Sequence, residues 1–175
     1  LLMAIAVAEG IRQVTGLDTG IKWPNDIVRN GKKICGILTE MSTEIDYINH
    51  VVIGVGINVN QETFPQDIQN TATSLKLELG RNVKRSELIA AIMEQFEKCY
   101  ETFLQTEDLS GVKEQYNSLL VNKDQDVKVL EPGNEYEAHA LGINETGELL
   151  VRLPDGQEKV IYAGEVSVRG VYGYV

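Results

Sequence analysis

The apolar positions change their period along the chain. Residues 1–15 are rich in Ala, Leu and Ile, with apolar side chains around most of a helical wheel. They stop at Gly16, a good helix C′ residue. The pattern predicts a largely buried helix. Two strand-like runs follow, 21–29 and 32–41, separated by Asn30-Gly31. That pair suits a type I′ turn, whose central residues both need φ > 0, so the runs are expected to pair antiparallel. A polar break at 42–47 leads into 50–60, the third strand of a meander. Residues 61–69 read as a loop. Over 82–104 the period becomes helical: Leu88, Ile89, Ile92, Met93, Phe96, Cys99, Tyr100 and Phe103 fall at three- and four-residue spacings. They predict a core-facing stripe. Ser110 is placed to cap a further helix running to about Leu120. From Asp126 onward short strand-like runs alternate with Gly, Asn and Pro turns, the pattern of a small barrel. The chain is thus expected to be α+β, with one unit over 1–122 and a second over 123–175.

The third strand carries the most information. Side chains alternate between faces. One face takes Val51, Ile53, Val55, Ile57 and Val59; the other takes Val52, Gly54, Gly56 and Asn58. Two glycines on one face remove side-chain bulk, which suits a tight bend, a neighbouring backbone or a ligand. In the second strand Lys33 opens an otherwise apolar run, either as a solvated strand end or as a charge held in a site. The first strand begins Lys22-Trp23-Pro24-Asn25-Asp26. Pro24 cannot donate to a sheet ladder, so this block is an edge or a bulge. Asn25 and Asp26 offer hydrogen-bonding groups beside it.

Composition narrows the classes. The chain has 175 residues and 43% apolar content, enough for an ordinary core. Its formal net charge of −10 argues against nucleic-acid contact by this segment. No apolar run has membrane-spanning length, and the apolar start lacks a basic n-region. Cys35 and Cys99 show no metal-ligand spacing and suit a reducing, cytoplasmic setting.

Three blocks in order are specific together. Lys22-Trp23-Pro24-Asn25-Asp26, then Gly31-Lys32-Lys33-Ile34-Cys35-Gly36-Ile37-Leu38-Thr39-Glu40, then Val52-Ile53-Gly54-Val55-Gly56-Ile57-Asn58-Val59-Asn60, resemble the catalytic core of bacterial biotin–protein ligases. The resemblance continues through Ala72-Thr73-Ser74-Leu75 and into the C-terminal segment. It implies a class II synthetase-like fold: a mixed, mainly antiparallel sheet with helices, followed by a small SH3-like β-barrel. It also implies ATP-dependent ligation of biotin to a lysine of a biotin carrier protein, through biotinyl-5′-adenylate, with Mg²⁺ as cofactor.

By the same resemblance Lys33 contacts the biotin carboxylate and the α-phosphate, and Asp26 orients Lys33 or takes the carrier lysine's proton. Gly36 and Ile37 lie along biotin. Gly54 and Gly56 leave the ligand face bare. Asn25 lies near the adenylate and Asn58 near the nucleotide end. Trp23 offers a stacking surface or a core side chain. Arg169 reaches the phosphates or the carrier. The family's Gly/Arg-rich phosphate loop lies upstream of the region matched by Leu1, so this chain alone is expected to be inactive. A DNA-binding unit upstream is compatible with the family. Side-by-side dimers through the sheet edge at 40–50 are also expected, with Glu44 and Asp46 weakening the contact. Two other readings remain open: a lipoate–protein ligase-like acyl transferase, and a non-catalytic interaction module.

Overall fold

In the computed structural model, residues 1–43, 48–131, 133–163, 167–170 and 174 are described. Helix α1 spans Leu2–Thr15 and ends as expected on Gly16, in the left-handed region at φ 74°. Strand β1 (Gly20–Lys22) turns back into β2 (Asp26–Arg29), which pairs with β3 (Lys32–Thr43), and β3 pairs with β4 (Ile48–Ile57). All three pairings are antiparallel. Asn30 and Gly31 both take positive φ, 50° and 74°, as the type I′ turn requires.

Two details depart from the expected meander. The run 21–29 is not one strand: it folds on itself at residues 23–25, so that Lys22 faces Asp26. Pro24, with no N–H to give, sits in that turn. The second detail is a bulge. Ile27 faces Cys35 but Val28 faces Lys33, leaving Ile34 as the extra residue.

Helix α2 (Leu75–Leu79) was not expected. Ser74 caps it by accepting from the Leu77 N–H, and Gly80 closes it. Helix α3 spans Arg85–Thr106 and packs on α1. Its apolar stripe is only half core-facing. Leu88, Ile92 and Cys99 are buried, but Ile89 and Met93 are 59% and 52% exposed. The stripe is wider than the surface α1 offers it. The uncovered half, with Val51, Ile53 and Val55 of edge strand β4, lines an open groove of about 930 Å³.

Helix α4 covers Lys113–Leu119. Ser110 does not cap it: its backbone N–H donates instead to Asp108 Oδ1, and Val112 holds the cap position without a side-chain bond. Of the expected dimer edge at 40–50, residues 44–47, with Glu44 and Asp46, lie outside the described residues.

Strands β5 (Asp126–Glu131), β6 (Asn134–Ile143), β7 (Leu149–Arg152), β8 (Glu158–Ile161) and β9 (Ser167–Gly170) form a second antiparallel sheet, ordered β8-β7-β6-β5-β9. Among the described residues no pairing joins β8 to β9, so the expected barrel is an open sheet there. The final strand expected at 171–175 lies outside them apart from Tyr174. One continuous apolar cluster runs from α1 through both sheets. Among the described residues no helix is long and apolar enough to cross a membrane.

Cys35, 1% exposed, sits in this core. Burial pushes its thiol up from 9.0 to about 12. The folded state therefore keeps a proton that the unfolded chain releases. The resulting stability is whole below the unfolded value and is lost as pH rises between about 9 and 12. Denaturant titrations at pH 8 and 10.5 should show this loss, and Cys35→Ala should reduce it. An identical alkaline loss in that variant would assign the effect to other groups.

Candidate active site

The turn at 23–25 and the bulge at Ile34 together bring the site into being. In a regular strand Lys33 and Gly36, three apart, would face opposite ways. The extra residue restores them to one side. A Cβ built on Gly36 would lie 2.9 Å from both Cε and Nζ of Lys33, so the lysine chain crosses a bare glycine. Gly36 also faces Asp26 across the β2–β3 ladder. Lys33 Nζ reaches Asp26 Oδ1 at 2.5 Å, and the carboxylate side chain is only 14% exposed.

The backbone of Lys33 is held from its other side. Its N–H donates to Thr71 O at 2.7 Å and its carbonyl accepts from Thr73 N–H at 2.9 Å. Asn58 Nδ2 donates to Thr73 O at 3.1 Å, tying β4 to the same loop. Asn25 clamps β3: its amide donates to Ile37 O at 2.6 Å, and its own carbonyl accepts from Ile37 N–H at 3.0 Å. Both asparagine side chains thus hold backbone around Lys33.

Gly54 and Gly56 face Leu38 and Gly36 across the β3–β4 ladder. A Cβ on either would meet only a carbonyl oxygen, at 3.7 and 3.8 Å, which is ordinary contact. Protein packing does not demand these glycines; they leave an exposed, bare surface beside Lys33.

Trp23 is not on that surface. It is 1% exposed, with Nε1 donating to Gly147 O at 3.1 Å and its backbone N–H donating to Asn122 Oδ1 at 2.9 Å. Of its two readings, the structure gives the core side chain. Arg169 lies exposed on β9, opposite Lys128 of β5.

Two site residues had not been singled out. Lys22 is buried, and burial holds its ammonium below the usual lysine range; Asp26 pulls the other way, and Arg169 and Lys33 lower it further. The ring of Tyr174 lies over Lys22 Nζ, 4.3 Å from the centroid, and its hydroxyl donates to Asp26 Oδ2. Burial and this bond raise its phenol above the usual range, so it stays a donor. Lys22 stood in the first motif block; nothing in the pattern marked Tyr174.

Lys22 and Lys33 place positive charge beside one carboxylate, with Arg169 close enough to Lys22 to act on it, next to a bare strand face. Such a site suits an anion whose charge grows during reaction. Among the described residues no group of His, Cys, Asp or Glu is placed to hold a metal. Both Asp26 oxygens are already engaged, by Lys33 and Tyr174.

Filling Gly36 should disturb the site and spare the fold. Gly36→Val would displace the flexible end of Lys33, since the atoms in the way are Cε and Nζ. Any reaction that uses Lys33 in the full-length protein should slow about ten-fold or more, because misplaced catalytic groups cost rates of that order, with the melting temperature little changed. Unaltered activity would show that Lys33 does not need this path.

The "Biotin/lipoate A/B protein ligase family" model matches residues 1–58, and the "Biotin protein ligase C terminal domain" model matches residues 124–169. Together they take in more than half of the chain. The bifunctional ligase/repressor BirA of Bacillus subtilis is 38% identical over 170 residues, covering 96% of this chain and 52% of the relative. The biotin–[acetyl-CoA-carboxylase] ligase of Paracoccus denitrificans is 28% identical over 155 residues, 86% of this chain and 63% of the relative. The chain therefore spans about half to two thirds of the length of these relatives. A biotin protein ligase from Aquifex aeolicus, solved in complex with biotin and ATP, superposes with a TM-score of 0.82 at 27% identity, covering 97% of this chain and 69% of that one. On both family matches, at its two ends and in the expected order, the chain belongs to the biotin protein ligase family.

Proposed function

We propose that the chain forms part of an ATP-dependent ligase that joins biotin to a lysine of a biotin carrier protein through biotinyl-5′-adenylate. The single observation that carries this is the Lys33–Asp26 pair laid over Gly36 beside the Gly54/Gly56 surface. In the first half-reaction a biotin carboxylate meets the α-phosphate of ATP, and both are negative. Lys33, held on two sides, supplies fixed positive charge where negative charge builds up. Lys22 and Arg169 strengthen the positive potential around it. Mg²⁺ would travel with the ATP phosphates; the described residues offer it no cluster of their own.

In the second half-reaction a carrier lysine attacks the adenylate. Free lysine titrates at about 10.4, so its amine must lose a proton first. Asp26 is the nearest acceptor, or else it only orients Lys33. The C-terminal match is to a biotin protein ligase domain, which favours biotin over lipoate. We take residues 1–122 as the catalytic part and 123–175 as the C-terminal domain. A homodimer through the β4 edge and a cytoplasmic location, suited to the free thiols Cys35 and Cys99, complete the reading.

The test is biotin-dependent pyrophosphate release and carrier labelling by the full-length gene product, with lipoate and octanoate as rival acids. Turnover with lipoate alone, or with none of the three, would reject the proposal. Sedimentation with and without biotin and ATP tests the dimer; a monomer throughout would remove it.

A further inference from the structure

Tyr174 reaches back 148 positions to the acid of the candidate catalytic pair. Asp26 has two carboxylate oxygens. Lys33 takes Oδ1 and the Tyr174 hydroxyl takes Oδ2. With both oxygens bonded, rotation of the carboxylate about its last torsion is blocked, and so is the wandering of the ammonium that it holds. The Tyr174 ring is fixed in turn from beneath, with Lys22 Nζ 4.3 Å from its centroid. Lys22 itself faces Asp26 across the β1–β2 ladder. These contacts form a closed circuit: Lys22 under Tyr174, Tyr174 on Asp26, Asp26 on Lys33, and Lys22 beside Asp26 again.

We propose that Tyr174 is a positioning residue that locks Asp26, and through it Lys33, in the geometry of the catalytic pair. This rests on the ligase reading of the site. The hydroxyl is bonded to Asp26 and removes a degree of freedom from the side chain that aims Lys33. Loss of the hydroxyl alone should therefore slow the chemical step more than it weakens ligand binding.

The test has two arms in the full-length gene product. In the first, Tyr174→Phe keeps the ring over Lys22 and removes only the hydroxyl. It should lower kcat for biotin transfer about ten-fold, a common scale for misplaced catalytic groups, with KM for biotin and ATP within about two-fold. In an Asp26→Ala background the same change should cost nothing further, because its target is gone. Equal losses in both backgrounds, or a rise in KM with kcat unchanged, would overturn the proposal.

The second arm does not need activity. In chemical denaturation, Tyr174→Phe and Asp26→Ala should have non-additive effects on stability, because the two side chains share one hydrogen bond, whereas Tyr174→Phe and Lys32→Ala should add. Additive losses in both pairs would show that Tyr174 does not hold Asp26. If the unaltered protein transfers no biotin, the ligase reading falls, while the double-mutant cycle still decides whether the lock exists.

Discussion

In the full-length gene product, on the ligase reading, Lys33→Ala is expected to lower biotinyl-adenylate formation by about a hundred-fold or more, whereas Lys32→Ala should leave it nearly unchanged. Removing a fixed donor from the place where charge develops commonly costs that much in rate. The two lysines adjoin in sequence but differ in setting. Lys32 faces Arg29 beside the Asn30-Gly31 turn. Lys33 crosses Gly36, meets Asp26 at 2.5 Å, and has its backbone pinned by Thr71 and Thr73. Folding should survive both changes. The Lys33 side chain is 39% exposed, and an ion pair so open to water contributes about 1 kcal/mol at most. Pyrophosphate release with biotin and ATP is the measurement. Equal losses at the two positions would remove Lys33 from its assigned role.

Trp23→Ala should instead act through stability, costing about 3–5 kcal/mol in chemical denaturation. The indole is fully buried in the core that both sheets share. Truncation would leave a large cavity and would strip Gly147 O of its donor. The loss would not stay local. The backbone N–H of Trp23 is bonded to Asn122, and Pro24 O accepts from the buried Tyr116 hydroxyl. The turn that presents Asn25 and Asp26 is thus anchored by side chains 92 and 99 positions further along the chain. Trp23→Phe, which keeps most of the volume and loses the indole donor, should cost less than half as much. A small effect of Trp23→Ala would mean that the indole is not part of the common core.

Much of the candidate site was legible because it is local. Lys22-Trp23-Pro24-Asn25-Asp26, Lys33 with Gly36, and Gly54 with Gly56 are short blocks whose residue types already restrict the backbone. Their joining depended on more. Lys33 and Gly36 share a side only because Ile34 is bulged, and nothing within the run 32–41 announces a bulge. Tyr174 and Asp26 meet across 148 positions, beyond the reach of any spacing argument.

By itself the sequence determined what nearest neighbours decide: the helix stop at Gly16, the turn at Asn30-Gly31, the break at Pro24, the bare face of Gly54 and Gly56, and the α+β order of elements. These follow from φ preferences, a missing N–H and side-chain alternation, which act over a few residues. Only the tertiary structure decided which half of the α3 stripe is covered, that Trp23 belongs to the core, that the C-terminal strands form an open sheet over the described residues, and that Lys22 and Tyr174 join Asp26. Those outcomes depend on which distant surfaces meet. An apolar side chain specifies that it favours burial, but the partner that buries it, or leaves it open as at Ile89 and Met93, lies elsewhere in the chain.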